Sequence, residues 1–179
     1  MNGTTTLEKP IVINRAPVLE LWSACVASTI HPDLEWSTCL SIGSSISSIT
    51  AISKGRSIGV IDDKKKDGKK ATKNDAEDIE QVEVMGFKLD VKDGVVFVKG
   101  KPKTTKEVSL QRKYGPDGYE KVKEVMIEVL ESWKGNEAEL DGKAFHMYEQ
   151  FRPSVPKGQQ GWGRKGELNL EKLREVVRK

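Results

Sequence analysis

The segment Gly161-Trp162-Gly163-Arg164-Lys165-Gly166 gathers the residue types that can do chemistry most directly. Glycines on both sides of a tryptophan allow close approach to the backbone. Trp162 offers a stacking face, and Arg164 and Lys165 offer phosphate contacts. That combination fits stacking on a single nucleic-acid strand, or the wing of a winged-helix module. The competing reading is a tight loop whose Trp162 folds back to plug the core, with Arg164 over an aromatic ring. The segment lacks the GxxxxGK[ST] spacing of a phosphate-binding loop.

Three further basic groups extend this reading. Lys54-Gly55-Arg56 closes a helical pattern, where cations are favoured by the helix dipole whatever the function. The functional alternative is that Lys54 and Arg56 share a basic face with Arg164 and Lys165. From Lys54 to Lys73 eight basic residues stand against three acidic ones, with Lys64, Lys65, Lys66, Lys69 and Lys70 at the centre. Such a run attracts phosphates by counterion release and resembles a nuclear import signal. Flanking acids, among them Asp62, Asp63, Asp67, Asp75, Glu77 and Asp78, partly neutralise it. Asn14-Arg15 and Arg152 stand at element ends. There they either pair with carboxylates and helix carbonyls or line an anion pocket built from several ends.

The catalytic and metal templates are unfilled. His31 and His146 are far apart, and with Cys25 and Cys39 they do not follow the close ligand pairing of zinc sites. Both cysteines lie in apolar periodic segments, as small buried hydrophobes do. No GxSxG, HExxH or GxGxxG occurs. The sequence therefore marks no catalytic residue, no metal ligand and no cofactor site.

Composition sets the frame for these residues. The chain has 179 residues, a net charge of +3, 36% hydrophobic and 32% charged residues. That length fits one core, and the hydrophobic content exceeds that of a fully disordered chain. The polar start lacks a secretory h-region, and no apolar run approaches the roughly 20 residues of a membrane span. An intracellular protein of the nucleus or cytoplasm, not secreted and not in a membrane, is expected.

The elements that must position the basic groups follow from periodicity. Residues 1–10 read as a flexible tail and 11–179 as one α+β domain, with a disordered lysine-rich insert at 62–78. Ile11–Ile13 reads as a short strand. Val18, Leu21, Trp22, Cys25, Val26 and Ile30 form a helical stripe from Pro17. Asp33 is placed to cap a second helix over 34–53, with serines between its apolar positions and Gly55 as its stop. Gly43 permits a close helix approach. The short joining turn makes a helical hairpin or a helix-turn-helix. Val82 and Val84, then Phe87, Leu89 and Val91, alternate as strands, with a bulge or break at Gly86. Asp93-Gly94 is a hairpin turn into Val95–Lys99, whose Val95 and Phe97 share a face. Gly100–Thr105 reads as a polar exit. Three C-terminal helices complete the core: 116–134, a shorter one capped by Asp141, and one capped by Asn169.

Three functional readings result. The first is a nucleic-acid-binding protein whose basic face is built from Lys54, Arg56, Arg152, Trp162, Arg164 and Lys165. The second is a protein-interaction module that uses amphipathic helices and a hairpin edge. The third is a small enzyme in which Arg15, Tyr114, His146 or Arg152 converge on one pocket. Partners are accordingly nucleic acid or another protein.

Overall fold

Ile11–Asn14 forms a strand, β1, that pairs antiparallel with β6 (Lys165–Leu168); Ile13 stands opposite Gly166 and Asn14 opposite Lys165. The computed structural model describes residues 10–57, 79–98, 100–115, 117–155 and 165–176. The expectations for the 1–10 tail, save Pro10, and for the 62–78 insert lie outside the described residues.

From β1 the chain enters α1 (Arg15–Ile30) directly. Pro17 lies in its first turn, where a missing N–H costs nothing. Periodicity predicts one apolar stripe, but every residue from Pro17 to Ala27 is buried. Burial on all sides marks a central helix. α1 packs against α2, α4, α5, β1 and β2, so its polar positions are covered as well.

α2 (Trp36–Ser57) runs back along α1. Asp33 does not cap it: Asp33 lies in the connecting turn, and Cys39 N–H bonds to the Glu35 carbonyl at 3.0 Å. Gly55 does not stop the helix, which continues to Ser57. The close approach expected at Gly43 is real, since a Cβ there would stand 2.1 Å from the Glu20 carbonyl. Further along, the Ser47 hydroxyl donates to the Ala16 carbonyl at 3.0 Å. Contacts this far from the connecting turn make an antiparallel hairpin rather than the crossed pair of a helix-turn-helix. Ser41, Ser45 and Ser47 are buried. Ser41 and Ser45 bond back to the Ser37 and Ser41 carbonyls at 3.1 and 2.8 Å, which satisfies hydroxyls that burial would strand.

β2 (Glu80–Val84), β3 (Phe87–Lys92), β4 (Val95–Val98) and β5 (Lys101–Lys103) form an antiparallel meander in chain order. The slip at Gly86 is a turn, not a bulge. Met85 and Gly86 have φ of 54° and 81°, and Val84 faces Phe87 across them. Asp93 and Gly94, at 52° and 77°, make the same turn between β3 and β4. Paired positive φ angles give the turn whose twist matches a hairpin. Helices tie both turns down. Asp141 accepts from Met85 N–H at 2.5 Å, and the Thr38 hydroxyl donates to the Gly94 carbonyl at 2.7 Å. Val95 and Phe97 share the outer face, while Val82, Val84, Leu89, Val91 and Val96 are buried beneath. The stretch read as a polar exit holds β5, with Lys103 opposite Val96.

Among the described residues four helices follow instead of three. α3 (Glu107–Tyr114) buries only Leu110 and Tyr114, too few for a legible stripe. α4 (Gly118–Glu131) buries Val122, Met126, Val129 and Leu130 as its pattern predicts, and Trp133 beyond its end is buried too. α5 (Glu137–Phe151) begins upstream of Asp141, which is thereby free to hold the Met85 turn. α6 (Leu170–Arg174) is capped as expected: Asn169 Oδ1 accepts from Glu171 N–H at 2.9 Å. The two layers share one apolar cluster. Trp22 stands edge-on to Phe151 at 5.0 Å and donates from Nε1 to the Ala144 carbonyl at 2.9 Å. The fold is α+β, and no described helix is long and apolar enough to cross a membrane.

Candidate anion-binding site

The first turn of α1 is held by three other helices. Its consecutive carbonyls, Arg15, Ala16 and Pro17, accept hydroxyls from Tyr148 of α5 at 3.0 Å, Ser47 of α2 at 3.0 Å and Tyr114 of α3 at 2.8 Å. Burial pushes both tyrosine phenols well above their ordinary pKa, so they stay protonated as donors. Backbone position here is fixed from three directions.

That turn carries Arg15, half-buried, whose Nε donates to the Pro153 carbonyl at 3.0 Å. Pro153 follows Arg152, the residue that ends α5. Ser154 then exchanges backbone hydrogen bonds with Glu167 of β6, at 3.0 and 3.1 Å. Gly166 makes this possible, because a Cβ there would stand 2.8 Å from the Ser154 carbonyl. β6 also lays Lys165 opposite Asn14, the residue before α1.

Arg15, Arg152 and Lys165 are thereby gathered around the start of one helix, Arg152 and Lys165 exposed. Burial, and then the charge of Arg152, hold the Arg15 guanidinium below its ordinary pKa. The two guanidiniums are close enough to repel, a cost that a bound anion would relieve. The first turn of α1 has no acidic residue, and Asn14 does not cap it with its side chain. Asn14 Oδ1 is buried without a partner among the described residues. The helix's own dipole adds positive potential at this end. Chemically, the arrangement suits a phosphate oxygen: two neighbouring guanidinium forks, with Lys165 brought beside them by the β1–β6 pairing.

Of the residues singled out in the sequence, Arg152 and Lys165 meet here, with Arg15 and Asn14. Trp162 and Arg164 lie outside the described residues, as do Lys64, Lys65, Lys66, Lys69 and Lys70; Arg164 is the chain neighbour of Lys165. Lys54 and Arg56 belong to the last turns of α2, which the antiparallel hairpin carries past Ala16 toward the β1 end. Tyr114 is buried with its hydroxyl committed to Pro17, and His146 is exposed on α5, so the four residues of the enzyme reading do not share a pocket. Cys25 and Cys39 are buried free thiols, pushed by burial to about 12 and about 11. Neither is a thiolate at neutral pH. Among the described residues no group of three His, Cys, Asp or Glu side chains is placed to hold a metal.

A second polar cluster is structural in its geometry. Glu107 of α3 accepts from Trp36 Nε1 of α2 at 2.6 Å and from the Tyr119 hydroxyl of α4. The Tyr119 bond leads in holding the Glu107 carboxyl below its ordinary pKa, and burial, then Glu107, push the Tyr119 phenol up. Lys123 Nζ sits 4.4 Å over the Trp36 ring. A hollow of about 380 Å³ beside it is lined by Cys25, Thr29, Trp36, Lys123 and Ile127. Within it the Thr29 hydroxyl donates to the Cys25 carbonyl at 3.0 Å, and Trp36 Nε1 is taken by Glu107.

Sequence reasoning missed the hydroxyls of Tyr148 and Ser47, and set Tyr114 in a pocket rather than against α1. A tyrosine in the buried phase of a helix must find a partner for its hydroxyl, which is the signal that was available. No protein-family model, no curated protein and no solved structure matches the chain.

Proposed function

We propose that this protein binds nucleic acid through the phosphate backbone, at the start of α1. The convergence of Arg15, Arg152 and Lys165 on that turn carries the reading. Phosphate contacts of this kind supply affinity and orientation without reading sequence. Trp162 and Arg164, next to Lys165 in the chain, supply a stacking face and a further cation.

The protein-interaction alternative relied in part on a hairpin edge, and both edges of the meander are blunted. In β5 the outward-facing backbone position is Pro102, which has no N–H to offer. In β2 the outward carbonyl of Glu83 is already met by His31 Nε2 at 3.0 Å. The edges are therefore poor templates for an added strand.

Fluorescence anisotropy with a labelled single strand of about twelve nucleotides, and with a duplex, tests the proposal. Binding at low salt that weakens steeply as salt rises is expected. Absence of binding to both at low salt would sink it.

A further inference from the structure

Between Gly100 and Gly115 the chain carries Lys101, Lys103, Lys106, Arg112 and Lys113 against one acid, Glu107. The fold sorts these charges. Glu107 turns inward to Trp36 and Tyr119. Lys103 turns inward too, donating from Nζ to the Ser48 hydroxyl at 2.7 Å. Lys101, Lys106, Arg112 and Lys113 are exposed. Arg112 lines the same hollow as Glu120 of α4, an acidic neighbour. Lys101, Lys106 and Lys113 remain as an outward basic strip along β5 and α3.

This strip adjoins the candidate anion site. α3 packs against β1, and Tyr114 grips the Pro17 carbonyl. Lys113 is the leading cation acting on Glu20 of α1, and Lys103 the second. Glu20 lies only about 7.5 Å along the helix axis from Arg15, at about 1.5 Å per residue. The first turns of α1 thus have cations on two flanks: Arg152 and Lys165 from α5 and β6, and Lys113 with Lys106 and Lys101 from α3 and β5.

Resting on the reading above, we infer that these flanks are two halves of one track, and that the ligand is a phosphodiester strand rather than a lone phosphate or mononucleotide. A single anion meets one flank. A strand that passes the N-terminal end of α1, where Arg15 and Ala16 are part-exposed, meets both, and releases counterions from each.

Salt dependence of oligonucleotide affinity separates the possibilities, with oligothymidylate and oligouridylate as probes. For single strands, removing one cation–phosphate pair lowers the slope of log K against log salt by about 0.7. Lys106→Gln with Lys113→Gln should lower it by about 1.4, and Arg152→Gln with Lys165→Gln by a similar amount. Because Lys113 acts on buried Glu20, Lys101→Gln with Lys106→Gln provides a second test on exposed residues, and melting midpoints verify the fold. Lys88→Gln with Lys134→Gln, away from both flanks, should leave the slope unchanged. Thymidine monophosphate should not displace the oligonucleotide at millimolar concentration. If both β5–α3 variants keep the wild-type slope while Arg152→Gln with Lys165→Gln lowers it, the track is wrong and the α1 site stands. Displacement by the mononucleotide also overturns the track. If the unaltered protein binds neither strand, the site and the track fall together.

Discussion

Arg15 Nε and the Pro153 carbonyl, 138 positions apart in the chain, are joined at 3.0 Å. The bond ties the start of the central helix to the segment between α5 and β6. It also aims a guanidinium that would otherwise sweep the surface. Arg15→Lys keeps the charge and loses the planar fork. It should weaken oligonucleotide binding several-fold and cost about 1 kcal/mol of stability, read by titration and by urea unfolding. A lysine variant that binds like the original would show that charge alone matters there.

Gly43 permits the close approach of α1 and α2. A methyl group in its place meets the Glu20 carbonyl at 2.1 Å, and that backbone belongs to a helix buried on all sides. Gly43→Ala should destabilise by about 1–3 kcal/mol although alanine is the better helix former. Urea midpoints measure it. A neutral or stabilising outcome would mean that the helices part easily.

The two blunted sheet edges predict a change of oligomeric state. His31→Ala with Pro102→Thr restores an outward carbonyl and an outward N–H to the meander. Concentration-dependent self-association should follow, visible by size-exclusion chromatography with light scattering. A double variant that elutes like the parent at all concentrations would show that something else guards the edges.

Glu20 and Glu107 give stability opposite slopes with pH. Glu20, buried at 8% exposure, has its pKa raised by burial in spite of Lys113 and Lys103. A raised carboxyl stabilises fully below its unfolded pKa, about 4.3, and loses that contribution as pH rises through the folded value. Glu20→Gln should therefore gain stability relative to the parent between pH 4 and pH 7, by about 2 °C in melting midpoint. Glu107 is lowered, first by the Tyr119 hydrogen bond. Its contribution is present above about pH 4.3 and is lost as pH falls through the folded value. Glu107→Gln should flatten the acid limb of the stability curve. Parallel profiles for either variant and the parent would contradict the assignment.

Much of this architecture was legible where one physical signal dominated. The stripe from Val122 to Trp133, the Asp93-Gly94 turn and the Asn169 cap are local statements, and the structure keeps them. Signals failed where tertiary contact decides. Asp141 has the chemistry of a helix cap but serves the Met85 turn of another element. α3 buries only two side chains, too few for a stripe, so no pattern marks it between the polar exit at 100–105 and the next helix. The serines of α2 gave no clue that three of them would be buried. Arg15 and Arg152 were recognisable as cations at element ends. Their meeting depends on a Ser154–Glu167 bridge and a glycine at 166, which no local pattern announces.

The pairing of β1 with β6 also bears on how the molecule is made. These strands are the first and last of the described chain, and each finds its backbone partner only at the other end of the described chain. During synthesis β1 and the first turn of α1 emerge long before β6 exists to cover them. Such long-range closure slows folding and leaves apolar surface waiting for a partner. The candidate anion site, assembled across that junction, is complete only once a strand made more than 150 residues later has come back to the start.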